Sequence, residues 1–273
     1  MDDQEQRDLQ QLMPLLDRAE QWRAMTGENR GEWRVQERSS LAGDDAKSDP
    51  YQVSHAAWHA LTVAVDHLSC LRSSLSQQMS RENTELSITV HIYAPSTLLR
   101  GAFENAARAV WLLGPGSRAE RIRRRLAMQA GEVRNSARLW ALMGRQPPRS
   151  KEDRIKQLAE LLAAADARLS AEEAGKAVRK VPDYAEIVRD AGARTSVGAD
   201  LAEVIWKGCS ALAHGDMYGT LSMLALETIE RRQNTVLTQV TASISGLYST
   251  TMATTTLIER GFELYKQRGT RYL

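Results

Sequence analysis

Residues 98–113 read Leu-Leu-Arg-Gly-Ala-Phe-Glu-Asn-Ala-Ala-Arg-Ala-Val-Trp-Leu-Leu, apolar or small in nearly every direction around a helix. Such a helix has no face suited to water, so the fold must surround it with other elements. Three charges interrupt it. Arg100, Glu104 and Arg108 are four residues apart and stack on one face. A buried charge without a partner costs several kcal/mol. The stripe is therefore either a polar seam facing a cleft, where Arg100 or Arg108 holds an anion, or a solvated row of ion pairs. In the second case each pair contributes only about 0.3–0.5 kcal/mol.

Helical periodicity dominates the rest of the chain. Residues 1–26 predict an amphipathic helix with Leu9, Leu12, Leu15, Leu16, Ala19 and Trp22 on one side, and residues 27–50 read as a Gly-, Ser- and Asp-rich mobile connection. The segment 1–50 is acidic, with 12 acidic against 7 basic residues, and suits an arm that packs on the bundle or on a partner. A second helix is expected over 53–79. A third follows Pro95 and stops at Gly114-Pro115-Gly116. Ser117 caps a fourth, which runs to about 144, and Ser150 with Asp153 opens a fifth, to about 169. Beyond a broken region at 170–197, residues 199–213 form a helix ending at His214-Gly215. Asp216 then caps a long last helix over 217–267, with breaks near Gly246 and Gly261. The one strand-like alternation is at 86–93. The expected fold is all-α: a bundle of about four long core helices over 51–273, shorter helices, and the acidic N-terminal helix and linker of 1–50.

Composition narrows the function classes. The 273 residues suffice for a sizeable core, and a net charge of +2 gives no global pull on nucleic acid. Cys70 and Cys209, far apart and in no metal spacing, read as buried free thiols of a reducing compartment. The first ten residues carry Asp2, Asp3, Glu5 and Asp8, unlike a secretory leader, so a cytoplasmic protein is expected. The uncharged run 233–258 is too rich in Thr, Ser and Gln for a membrane span and reads as a helix buried in protein. No phosphate loop, dinucleotide fingerprint, zinc-finger pattern or Gly-x-Ser-x-Gly elbow occurs, and neither a nucleotide cofactor nor any other is expected.

Four groups of residues carry chemistry. His214 sits in the last turn before Gly215, where an imidazole serves as general acid or base, or as a plain helix cap. Ser210 lies one turn back and can hydrogen-bond it or a ligand. His55 and His59 have the i,i+4 spacing that lets two imidazoles share a metal, with His67 nearby, but only Glu104 could complete the site. The fourth group is basic: 118–154 holds eleven Arg or Lys against four acids, with Arg118, Arg121, Arg124 and Arg125 on the first turns of a helix. Cations there oppose the helix dipole, so they predict a phosphate, RNA or acidic-partner site, or pairing with the acidic arm 1–50.

The order of these pieces resembles the HEPN superfamily and its Abi-like relatives. They are Arg100 to Glu104, the Gly114-Pro115-Gly116 stop, Arg121 to Arg125, and Ser210-Ala211-Leu212-Ala213-His214-Gly215, spanning roughly 51–265. The resemblance implies an all-α bundle, commonly a homodimer. In many members it implies a metal-independent ribonuclease of toxin or phage-defence systems, in which a histidine and an arginine promote attack by the RNA 2′-hydroxyl. His214 matches the family histidine. The family arginine falls on Lys207 and the polar residue after it on Gly208. Lys keeps the charge but lacks the fork that grips a phosphate, and Arg100 or Arg108 is then the expected substitute. The site so implied has His214, Lys207, Arg100 and Glu104 as catalytic candidates, with Arg108, Ser210, Arg121, Arg124 and Arg125 as phosphate-binding candidates and no metal. The alternatives are a non-enzymatic interaction or regulatory protein whose Arg, Glu and His network is structural, and a small-ligand or metal-binding bundle.

Overall fold

The computed structural model describes residues 3–27, 31–75 and 90–271. The described chain is predominantly helical: α1 (Asp3–Thr26), α2 (Ser40–Ser48), α3 (Val53–Leu75), α4 (Ala94–Leu113), α5 (Arg118–Leu142), α6 (Lys151–Ala165), α7 (Ala171–Arg179), α8 (Tyr184–Gly192), α9 (Ala199–Ala213), α10 (Met217–Met223), strands β1 (Ala225–Arg232) and β2 (Thr235–Thr241), and α11 (Ile244–Gly269). Among the described residues no helix is long and apolar enough to cross a membrane.

The all-round apolar helix takes the central place its sequence requires. α4 packs against α3, α11, α9 and α8, and Leu99, Phe103, Ala106, Ala107, Val110 and Leu113 are all essentially inaccessible. The alanines keep α4 thin, so four neighbours can approach it closely. Arg268, near the end of α11, closes its C-terminus by donating to Leu113 O at 2.5 Å and Gly114 O at 3.2 Å. These are carbonyls that a helix end leaves without intrahelical donors.

α1 lies on α3 and α11 and buries Leu12, Leu16, Ala19 and Trp22 in the same apolar core as the bundle. Asp8 with Ser245, and Arg18 with Glu259, tie it to α11. Among the described residues of the region expected as a connection, a 3-10 turn at Gly31–Trp33 and the helix α2 appear instead. Ser39 caps α2, accepting from Ala42 N at 3.1 Å. Composition pointed to a loop there because Gly, Ser and Asp serve N-caps and first turns as well as linkers.

The last segment also departs from expectation. Asp216 does cap a helix, but α10 is only seven residues long. An antiparallel β1–β2 hairpin follows, with an irregularity at Ile229, before α11 begins. The uncharged run therefore divides into an exposed strand and a buried helix. In α11 the buried part matches expectation: Thr251, Thr254 and Thr255 are enclosed and donate their hydroxyls to carbonyls of their own helix, at 2.8 Å, 2.8 Å and 2.9 Å. Of the strand expected at 86–93, residues 86–89 lie outside the described residues, as do 76–79 of the second expected helix. Residues 90–93 are non-regular and lead into α4.

Candidate functional site

α9 delivers His214 to the surface. The helix ends in a Schellman arrangement: Gly215 N donates to Leu212 O at 3.1 Å and Asp216 N to Ala211 O at 2.8 Å. Gly215 has φ +70°, a conformation with little steric cost only for glycine. Asp216 then caps α10 by accepting from Tyr218 N at 2.9 Å, and α10 folds back across α9. A β-carbon on Gly219 would stand 2.6 Å from that of Ala211, so this crossing depends on glycine.

On the facing helix, the sequence-predicted stripe meets this turn. Arg100 Nε donates to Glu104 Oε1 at 3.0 Å, and Arg100 Nη1 lies 3.1 Å from His214 Nε2. Glu104 Oε1 also accepts from Trp206 Nε1 at 2.7 Å. One carboxylate thus orients the guanidinium and anchors α9 to α4 two turns before His214. Glu104 is largely covered, Arg100 is partly open and His214 is exposed, so the guanidinium–imidazole pair faces solvent while its anchor does not. Arg100 Nη1 can only donate, so the contact is a hydrogen bond in the tautomer that leaves Nε2 free to accept.

Trp206 is the member that sequence reasoning missed. Its signal was its place one turn before Ser210 in the same helix, but an indole in a helix reads first as core. Ser210 is half-buried between Lys207 and His214, and its carbonyl accepts His214 N at 3.1 Å. Glu203, Lys207, Ser210 and His214 recur along one side of α9 at helical spacing. Lys207 is exposed and bonds Glu203 at 2.7 Å, which also bonds Arg189 of α8 at 2.7 Å. Lys207 therefore spends its charge on a neighbour of its own helix.

The other phosphate-binding candidates divide. Arg108, a turn beyond Glu104, donates to Asn105 Oδ1 at 3.2 Å. Arg121 is not a surface cation: it is fully buried against the equally buried Asp44 of α2. Its Nε reaches Asp44 Oδ2 at 2.5 Å, Nη2 reaches Asp44 Oδ1 at 2.8 Å and Ser40 Oγ at 2.9 Å, and Nη1 reaches Pro115 O at 2.8 Å and Gly116 O at 3.0 Å. All five N–H donors are used, leaving none for a phosphate. Arg118 joins the same Asp44 at 3.1 Å. Pairing with the acidic arm, one of the readings of this basic run, is thus what these two arginines do.

Arg124 stacks on Trp111 at 4.7 Å and bonds Glu120 at 2.8 Å and Asp190 at 3.0 Å, fastening α5 to α4 and α8. Burial would push Glu120 up, but hydrogen bonds from Arg123 and Arg124 hold it below its ordinary value. Asp190 is likewise held low, against its burial, by Arg194 and Arg124. Arg125 lies under Tyr51 and donates to Gln129 Oε1 at 2.7 Å. Burial, and to a smaller extent the charge of Arg108, push its guanidinium below the usual range.

The histidine pair lies elsewhere. His55 and His59 line a groove of about 590 Å³ with Trp33, Arg34, Asp45 and Tyr265. Glu104 is not among the lining residues, because Arg100 and Trp206 hold it at the other site. His67 packs over Gly101, where a β-carbon would come within 2.6 Å of its Nε2. Among the described residues no group of three or more His, Cys, Asp or Glu is placed to hold a metal ion. Of the two cysteines, Cys209 is buried as expected, but Cys70 is exposed. Burial pushes the Cys209 thiol up to about 12, partly opposed by the charge of Arg100.

Comparison with protein-family models, curated proteins and solved structures finds no match for this chain.

Proposed function

We propose that this chain is a metal-independent ribonuclease acting through Arg100 and His214. The observation that carries the reading is the 3.1 Å approach of Arg100 Nη1 to His214 Nε2 on exposed surface, with Glu104 holding the guanidinium from behind. A phosphodiester drawn to that surface takes Arg100 Nη1 as its partner and frees His214 Nε2. The imidazole then accepts the proton of the 2′-hydroxyl as the 2′-oxygen attacks phosphorus. The bond to the 5′-oxygen breaks, that oxygen takes up a proton from water, the imidazolium returns its proton to the hydroxide so formed, and a 2′,3′-cyclic phosphate remains. Arg100 stabilises the charge that builds on the phosphoryl oxygens, the kind of preorganised contribution that dominates such reactions. Arg108, further along the same stripe, extends the positive track for the strand. Lys207, paired with Glu203, has a minor role.

The test is direct. Purified chain is incubated with unstructured RNA and a chelator, alongside His214→Ala and Arg100→Gln. Wild type cuts, and each variant loses about 10²–10⁴-fold in rate, the range for a general acid or base. Intact RNA with wild type, or variants that cut as fast as wild type, rules the reading out.

A second reading is favoured by the Trp206–Glu104 bond at 2.7 Å. In it the network is structural, and the chain is an interaction or regulatory module whose polar residues fix α9 on α4. Its signature is a large loss of stability in Glu104→Ala with no cleavage by wild type.

A further inference from the structure

The β1–β2 hairpin stands off the helical body. None of its strand residues is buried, and only Ala225, Thr238 and Val240 are half-buried. Leu226, Ile229, Val236 and Leu237 are exposed, and α10, which feeds the hairpin, exposes Met217, Tyr218 and Leu221. Two strands alone are marginal in water; a third strand or a packed face is needed for independent stability.

The two outer edges of the hairpin differ in kind. β1 carries Glu227, Glu230, Arg231 and Arg232 and is irregular at Ile229. Charges and bulges are what guard a strand edge against pairing. β2 has neither. It reads Thr235-Val236-Leu237-Thr238-Gln239-Val240-Thr241, without charge or proline. It also reads almost the same in both directions: only Leu237 and Gln239 break the symmetry about Thr238. An antiparallel pairing of this strand with a second copy of itself, about a two-fold axis through Thr238, sets Thr238 opposite Thr238, Val236 opposite Val240 and Thr235 opposite Thr241. β-branched and Thr–Thr pairs directly opposite one another are favourable combinations in a sheet. No like charges meet anywhere along the strand.

We infer that the chain forms a two-fold dimer in which β2 pairs antiparallel with β2 of a second copy, joining two hairpins into one four-stranded sheet. Self-complementarity of the strand singles out a second copy over an unrelated partner, because an isologous contact requires one surface to fit itself. The pairing does not rest on the ribonuclease reading: failure to cut RNA leaves it untouched, and loss of pairing says nothing about His214.

Charge at the axis tests it. Thr238→Lys sets two lysines face to face, and Thr238→Glu sets two glutamates. Sedimentation velocity of the full chain should show a dimer for wild type, a shift of dissociation constant by about tenfold or more toward monomer for each variant, and recovery of the dimer when the two variants are mixed. The substitutions fall on a partly exposed strand, so melting temperatures that match wild type separate loss of pairing from loss of fold. Register is tested in a Cys70→Ser background. Thr238→Cys should form an intermolecular disulfide under mild oxidation, and Thr235→Cys, which faces Thr241 of the other copy, should not. Each of four results overturns the inference: a wild-type monomer at every attainable concentration, variants that dimerise like wild type, a mixture that stays monomeric, or cross-linking of the Thr235→Cys variant in preference to the Thr238→Cys variant.

Discussion

Arg100 Nη1 and His214 Nε2 lie 3.1 Å apart although 114 residues separate them in the chain. The contact depends on Glu104, whose Oε1 takes both Arg100 Nε and Trp206 Nε1. Removing that carboxylate leaves a guanidinium without its counter-charge and an indole without its acceptor. Glu104→Ala should therefore lose about 1–3 kcal/mol of stability, the range for leaving a covered polar group without its partner. Chemical denaturation measures it. Glu104→Gln, which keeps an acceptor for Trp206, should lose less. Equal losses in the two variants would mean that the indole bond contributes nothing.

Asp44 and Arg121 form the most enclosed ion pair of the described chain, and it joins α2 to the start of α5. Breaking a buried pair by deleting one partner costs about 3–5 kcal/mol, because the other charge is left stranded. Asp44→Ala should fall in that range by urea denaturation. Arg121→Lys should not restore wild-type stability, since an ammonium cannot reach Asp44, Ser40, Pro115 and Gly116 at once. A loss below about 1 kcal/mol, the level of an exposed pair, would contradict the burial of both groups.

Acid should weaken the packing around Arg124. Glu120 and Asp190 are both held below their ordinary values by arginine partners, against the upward push of burial. A carboxylate depressed in the folded state contributes stability above its unfolded pKa, which is lost as pH falls through the folded value. The melting temperature should thus decline as pH falls below the ordinary carboxylate range, about 4. Arg124→Gln should start lower at neutral pH, having lost the Trp111 stack, and decline less steeply. A parallel decline in both proteins would remove Arg124 as the cause.

Thiol chemistry should distinguish the two cysteines. Cys70 is exposed, whereas Cys209 is buried with its thiol pushed up to about 12. At mildly alkaline pH a thiol reagent should label one cysteine in the native chain and the second only after unfolding. Rapid labelling of both in native protein would show that the α4–α9 contact opens readily.

Sequence periodicity located the central helix, the caps of the two helices after it and the His214–Gly215 turn, because each depends on local chemistry: Pro95 in the first turn of α4, Ser117 and Ser150 as N-caps of α5 and α6, and Gly215 at a positive φ. It also aligned Arg100 and Glu104 on one face. Three features were not legible. The hairpin carries no Asn-Gly or Asp-Gly turn, only Gln233-Asn234, and its Thr and Val run merges with the Thr-rich start of α11. α2 is short and polar, and is held in place by Asp44 meeting Arg121 across 77 residues. The same distant pairing turned Arg121 from an apparent surface cation into a buried structural one. Local sequence says which residues are charged, but long-range packing decides which of them remain available.

We propose that Arg100 and His214 cleave RNA by attack of the 2′-hydroxyl without a metal. The decisive measurement compares an RNA oligonucleotide with its 2′-O-methyl counterpart, in chelator, and identifies the product ends by mass spectrometry. Cutting of RNA alone, with 2′,3′-cyclic phosphate ends and loss of activity in His214→Ala, is the result expected. Cleavage of the 2′-O-methyl strand, activity restricted to added metal, or no cleavage of either strand would contradict it.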